Sequence, residues 1–279
     1  MSIRSPLLRG LLPLFPLLVF LLVFFVYPTC RMLLLGVSGG SAAAARFHEL
    51  WAVPLYRHVL AGTFRISIGV TAACLLLGYP VAYTLTFAPP RRANLLLVLV
   101  ITPFWISILG RSFTWMVLLQ RAGVVNQVLL ALHLVRAPVP LVYNLLGVYI
   151  GMIHILLPFM ILSLYAVMRA IEPSLLRAAE NLGASDWQTF RRVFFPLSLP
   201  GVAAGSLILF VVGLGFFITP ALLGGGKVTT VAMLIEAYIH QAFDWGLASA
   251  LALVLIAATV LVLVAYNRLL TVDRMLVAR

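Results

Sequence analysis

Six apolar runs set the terms for this chain. They cover about residues 10–28, 66–88, 94–119, 143–168, 200–222 and 247–269, and together they hold two arginines, Arg111 and Arg268, and no acid. Crossing a hydrocarbon core of about 30 Å takes about 20 residues of helix, so each run is long enough to span a bilayer. The runs are continuously apolar and do not alternate, which points to helices and away from barrel strands. The expected fold class is therefore an all-α membrane protein with six transmembrane helices. The membrane domain covers 10–270, between a short N-terminal segment, 1–9, and a tail, 271–279. No internal repeat is evident.

Composition supports this and removes alternatives. Charged residues make up 9% of the chain and hydrophobic ones 63%, against roughly 25% charged in ordinary soluble domains. The formal net charge of +12 raises the question of nucleic acid. The basic residues are scattered, however, with no dense patch to track phosphates, and no nucleic-acid partner is expected. Cys30 and Cys74 are the only cysteines, and they have neither a CxxC spacing nor a Cys/His metal pattern. Arg4 and Arg9 before the first apolar run resemble a signal peptide. Pro28, Cys30 and Arg31 follow that run in place of a small-x-small cleavage site, so a retained first span is expected.

Arginine placement gives an orientation, because positive residues accumulate on cytoplasmic loops. With the N-terminus inside, the inner segments hold eleven basic residues and the outer ones six. Pro89-Pro-Arg-Arg92 is the cleanest inner marker. Both termini, and the segment between the fourth and fifth runs, are then expected in the cytoplasm of an inner-membrane protein.

That segment, 171–196, is a polar island holding three of the seven acids, Glu172, Glu180 and Asp186. It reads as two short helices around a glycine. Glu172-Pro173 suits a helix start, and Leu175, Leu176, Ala179 and Leu182 recur at helical spacing. Gly183 can take the left-handed position that ends a helix. Ser185 or Asp186 can cap the next helix, which runs to Pro196. On physical grounds alone, half the weight falls on an amphipathic loop lying on the membrane surface.

The spacing says more. Ala178-Ala179, Gly183, an aliphatic residue at Val193 and Pro196 resemble the EAA loop of binding-protein-dependent ABC importer permeases. Arg177 stands where that pattern has Glu, Val193 replaces Ile and Phe195 replaces Leu. Leu175-Leu-Arg-Ala-Ala-Glu-Asn-Leu-Gly-Ala-Ser185 also looks like this family. So do Thr102-Pro-Phe-Trp-Ile-Ser-Ile-Leu-Gly-Arg111, Leu156-Leu-Pro-Phe159, Ala221-Leu-Leu-Gly-Gly-Gly-Lys227 and Asp244-Trp245, which are similar to the polyamine (spermidine/putrescine) branch. The resemblance covers roughly residues 65 to 268.

The resemblance implies the type I ABC importer permease fold and a set of partners. These are a second permease subunit (a different chain), two cytoplasmic ATPase subunits that bind ATP and Mg, and an extracytoplasmic solute-binding protein. It implies a coupling helix docked on the ATPase, with Glu172, Arg177, Ala178, Ala179, Gly183, Ala184, Ser185, Asp186 and Pro196 as the residues involved. The small alanines permit close approach, the glycine bends the chain, and the charges can be read by a soluble partner. Arg177 puts any ion pair made by the family's Glu in doubt.

Nothing in the sequence supplies a nucleotide site. Gly224-Gly-Gly-Lys227 fails the phosphate-loop pattern, because Ala221 and Val228 stand where glycine and Ser or Thr are needed. No metal site or cofactor of this chain's own is expected, nor any catalytic constellation. An ion-coupled secondary transporter is the main alternative; it would ordinarily place acids within its spans, and these spans have none. For the solute pathway the candidates are Trp105, Arg111, Trp115, Tyr165, Phe216 and Phe217. Arg111 and Trp115 share a helix face. Arg111 either lines the pathway or snorkels to the outer interface beside the two tryptophans. The aromatics could hold an organic cation by their ring faces, although packing is their commoner role. His154, inside the fourth span, is expected to make a helix–helix hydrogen bond.

Overall fold

The computed structural model describes residues 15–277, so Arg4, Arg9, the segment 1–9, the start of the first apolar run and Arg279 lie outside the described residues. Twelve helices are described, with no strand among the described residues. They are α1 (Phe15–Val37), α2 (Ser41–Ala52), α3 (Pro54–Phe87), α4 (Pro90–Trp105), α5 (Ile108–Leu118), α6 (Val124–Ala131), α7 (Leu145–Arg169), α8 (Pro173–Asn181), α9 (Asp186–Leu214), α10 (Ile218–Leu223), α11 (Val231–His240) and α12 (Trp245–Val277). Five are long and apolar enough to cross a membrane, namely α1, α3, α7, α9 and α12; α4 with α5 makes a sixth if the bent pair counts as one span.

The chain forms two compact units. One comprises residues up to Arg57 together with Leu234–Arg279. In it, α1 lies along α12, and Gly36 is the point of closest approach: a Cβ there would sit 2.9 Å from the backbone of Ser249 and Ala250. The Arg46 guanidinium donates to the carbonyls of Leu35 (2.8 Å) and Ser38 (3.2 Å), closing the end of α1. Tyr56 and Tyr238 share a hydroxyl hydrogen bond of 2.7 Å, and the Tyr56 hydroxyl also donates to Glu49 at 3.2 Å. The Asp244 carboxylate accepts from the N–H of Leu247 and caps α12.

The second unit, His58–Met233, holds the larger apolar core. Its centre is α7, whose Met152, Ile155, Leu156, Met160 and Leu164 are almost fully enclosed. Helix α9 packs on α7 through its small residues. A Cβ on Gly201 would meet Val167 Cβ at 2.9 Å, and one on Gly205 would meet Met160 Sδ at 2.8 Å. This is the small-xxx-small contact that lets two membrane helices approach closely. Between Gln120 and Val139, the fully buried Asn126 clamps a long connection. Its amide donates to the carbonyls of Gln120 and Val139, both at 3.0 Å, and its Oδ1 accepts from the N–H of Val139 at 2.8 Å.

Four boundaries differ from the sequence reading. The first helix does not stop at 28 but continues through Pro28, Cys30 and Arg31 to Val37, and α3 begins at Pro54, not 66. Hydropathy registers lipid contact, and residues 54–65 are helical without being uniformly apolar. The run 94–119 is not one rod, because α4 and α5 meet at 97°. Pro103 has no N–H to donate, the chain tightens into a 3-10 turn at Thr102–Trp105, and Ile106 and Ser107 are extended. The Ser107 hydroxyl then accepts from Gly110 N–H at 3.0 Å and starts a new helix, as an N-cap does. Finally, the fifth span is Asp186–Leu214, not 200–222, and the second island helix does not end at Pro196. A π-turn at Phe190–Phe194 carries it into the span: Phe195 N–H donates to the carbonyl of Phe190, five residues back. Placed directly before Pro196, this wider turn absorbs a proline that would otherwise break the ladder.

Candidate functional site

The island folds as expected up to Asp186. Helix α8 starts after Glu172, which has extended backbone and makes no side-chain cap. Gly183 follows with φ of +84°, a conformation that disfavours any side chain, and its N–H donates to the carbonyl of Glu180. Of the two candidates for the next cap, Ser185 takes the role. Its hydroxyl accepts from Gln188 N–H, while the Gln188 side chain accepts from Ser185 N–H at 3.0 Å, a complete capping box. Asp186 occupies the first turn, where the helix dipole favours an anion.

One face of α8 is tied down and the rest is open. Leu176 packs against the apolar core, whereas Glu172, Arg177, Ala178, Glu180, Ser185 and Asp186 are exposed. Leu182 is 89% exposed and Trp187 66%, unusual for residues so apolar. Ala179, Leu182, Gly183, Ala184, Gln188, Arg192 and Val193 border an open hollow of about 270 Å³. Among the described residues the single side-chain contact of ion-pair geometry is His240 with Glu236, so no charge of the island is paired among them. Pro196 is exposed and lies beyond the π-turn, within α9 and not at its start.

An aromatic cluster holds the base of the island, and sequence reasoning missed it. Phe190 meets Tyr83 edge-on at 5.6 Å, Phe194 meets Tyr83 at 5.1 Å and Phe87 at 5.4 Å, and Trp187 stacks on Phe190 at 5.6 Å. Tyr79 completes it and bonds the Ser198 hydroxyl at 2.8 Å. Such ring pairs contribute about 0.5–1.5 kcal/mol each beyond area burial. The signal available was the recurrence of aromatics at 79, 83 and 87, one per helical turn, but its partners came from a helix expected to stop at Pro196.

The pathway candidates do not converge on one point. Arg111 is turned inwards and 7% exposed, and its Nε and Nη1 are buried with no hydrogen-bond partner. Trp115, one turn on, meets the His154 ring edge-on at 5.5 Å. The hydrogen bond expected of His154 is not made at Nδ1, which is buried and unpartnered. Beside Arg111, Ser112 bonds Thr219 of α10 at 2.9 Å. Trp115, Tyr165 and Phe216 pack on the same core. Trp105, 87% exposed at the bend, and Phe217, 36% exposed at the start of α10, stand apart from it. In the glycine turn at 224–227, the Tyr143 side chain lies directly against Gly225.

Comparison with known proteins agrees with this architecture. Residues 11–272 match the family described as the binding-protein-dependent transport system inner membrane component. The chain is 36% identical over 215 residues to the spermidine/putrescine transport system permease protein PotB of Escherichia coli (strain K12), covering 77% of this chain and 78% of that one. It is 29% identical to the putative 2-aminoethylphosphonate transport system permease protein PhnU of Salmonella choleraesuis (strain SC-B67), covering 91% and 92%. Among solved structures, it superposes on a chain of the bacterial alginate ABC transporter in complex with alginate pentasaccharide-bound periplasmic protein. The TM-score is 0.74 at 20% identity, covering 95% of this chain and 94% of that one. The methionine ABC transporter MetNI, in inward-facing form, gives 0.60 at 16%, covering 80% and 97%. The fold is that of type I ABC importer permeases, and the chain belongs to the family of inner-membrane permease components of binding-protein-dependent transport systems.

Proposed function

We propose that this permease subunit forms half of the translocation pathway of an ATP-driven importer, and that the loop 171–196 couples it to cytoplasmic ATPase subunits. The observation that carries this reading is the loop itself. It is helical and pre-capped, yet it leaves Leu182, Trp187 and every charge open. Leu182 and Trp187 are exposed in the same short loop as Arg177, Ala178, Glu180 and Asp186, a mixed surface that a soluble partner can read. Two ATPase subunits carrying ATP and Mg, a second permease chain and an outer solute-binding protein complete the proposed assembly, with both termini and the loop in the cytoplasm. Glu172, Arg177, Ala178, Ala179, Gly183, Ala184, Ser185, Asp186 and Pro196 are the proposed coupling residues. Trp105, Arg111, Trp115, Tyr165, Phe216 and Phe217 are the proposed lining of the path.

ATP binding would close the ATPases, draw the coupling helices together and turn the cavity outward; hydrolysis would reset it. Likeness to PotB supports a polyamine-like solute. The test is Ala179→Trp in the reconstituted transporter. Solute-stimulated ATP hydrolysis falls to the unstimulated rate while the protein stays inserted; hydrolysis at the normal rate defeats the docking reading. Uptake that needs an ion gradient and no ATPase subunit would favour a secondary carrier.

A further inference from the structure

The π-turn at the start of the fifth span does more than accommodate a proline. The 22 residues from Val193 to Leu214 carry no charge, and as helix they extend about 33 Å, close to the roughly 30 Å of the hydrocarbon core. With this run placed in the hydrocarbon, Arg191 and Arg192 stand at its edge, at the level of lipid phosphates. Trp187 lies one turn further out, at the depth where tryptophan collects in membrane proteins.

These three residues surround one space. Trp187, Gln188, Arg191 and Arg192 line an open hollow of about 550 Å³, with no acid in its wall. In an uninterrupted α-helix Arg192 would be turned about 140° from Trp187. The π-turn at Phe190–Phe194 widens the helix here, and Trp187, Arg191 and Arg192 all face the one hollow. Neither arginine has an ion-pair partner among the described residues. Two guanidinium groups, an amide and an indole ring make a donor-rich, acid-free cradle, and arginine binds phosphate in a two-pronged geometry that a lone ammonium does not reproduce.

We propose that this hollow binds the phosphate of an anionic phospholipid, the lipid lying along the start of α9. The depth argument favours a lipid over a carboxylate on a soluble partner: the α8 residues are reached from water, whereas Arg192 borders the uncharged run directly. Gln188 and Arg192 also border the hollow beside Ala179 and Gly183, so the bound lipid sits against the base of the island and steadies its junction with the span. The site stands whether or not the island docks an ATPase.

The test uses the whole transporter in nanodiscs of phosphatidylethanolamine, with and without phosphatidylglycerol. Native mass spectrometry counts phosphatidylglycerol retained after transfer to detergent. Arg191→Gln with Arg192→Gln should lower retention about tenfold, and Trp187→Ala, which keeps both charges, should lower it by a smaller factor. Arg136→Gln should change nothing. Excess inorganic phosphate should not displace the lipid. Equal retention by the double variant overturns the proposal, as does loss of the ATPase subunits with lipid retention unchanged, which would assign the arginines to a protein contact. Retention needs no ATP hydrolysis, so its failure is separable from a failure of the coupling reading.

Discussion

The island at 171–194 and the bend around Arg111 both leave polar groups without partners inside this chain, and the two cases are not alike. Arg177, Glu180 and Asp186 are exposed, so water satisfies them and their lack of partners costs almost nothing. Arg111 is buried with two unpartnered nitrogens. Even on lenient insertion scales, an arginine at the membrane centre costs about 2.5–3.5 kcal/mol. The island can wait indefinitely for a partner. The bend is held at a free-energy cost, which makes it the place where a solute or a neighbouring subunit has most to offer.

The largest effect should come from the island. Gly183→Pro forces φ from +84° to about −65° and removes the N–H that closes α8. It should abolish solute-stimulated ATP hydrolysis in the assembled transporter without preventing insertion; hydrolysis at the normal rate would mean that the turn plays no part in coupling. Next, Arg111→Met tests the other side of the comparison. Removing an uncompensated buried group should raise stability by about 1–3 kcal/mol, read by thermal unfolding, while uptake falls on the order of tenfold, about 1.4 kcal/mol of barrier. A fall in stability would show that Arg111 already has a partner in the assembly.

Gly201→Leu is the reference for ordinary packing, away from both regions. With Val167 Cβ 2.9 Å from the new Cβ, overpacking should cost about 1–3 kcal/mol, visible as earlier unfolding in detergent. The smallest effect is that of Ser185→Ala. Loss of the capping box should cost about 1 kcal/mol, with Ser185→Thr restoring most of it; an unchanged unfolding temperature would mean that the cap is replaced by a partner.

Much of this was legible in the sequence, and the failures share a cause. The apolar runs announced the spans because lipid selects side chains directly. The Gly183 turn and the Ser185 cap were readable because both are local chemistry. What escaped depended on interruptions buried in apolar sequence. Thr102-Pro103 and Ser107 carried the stop and start signals of a bend, but the run from 94 to 119 is so hydrophobic that a single rod seemed sufficient. Pro196 looked like a terminator because a π-turn cannot be anticipated from residue types. For Arg111 the sequence left two positions open, and its burial is a product of tertiary packing that residue types alone do not give. The cluster of Tyr79, Tyr83 and Phe87 with Phe190 and Phe194 needed tertiary pairing, which one chain read alone does not supply.

Asn126 has a consequence of its own. By tying residue 120 to residue 139 through three hydrogen bonds, it turns a twenty-residue excursion into a closed buckle. A protein that meets this surface finds it already shaped, so little conformational entropy is lost on contact.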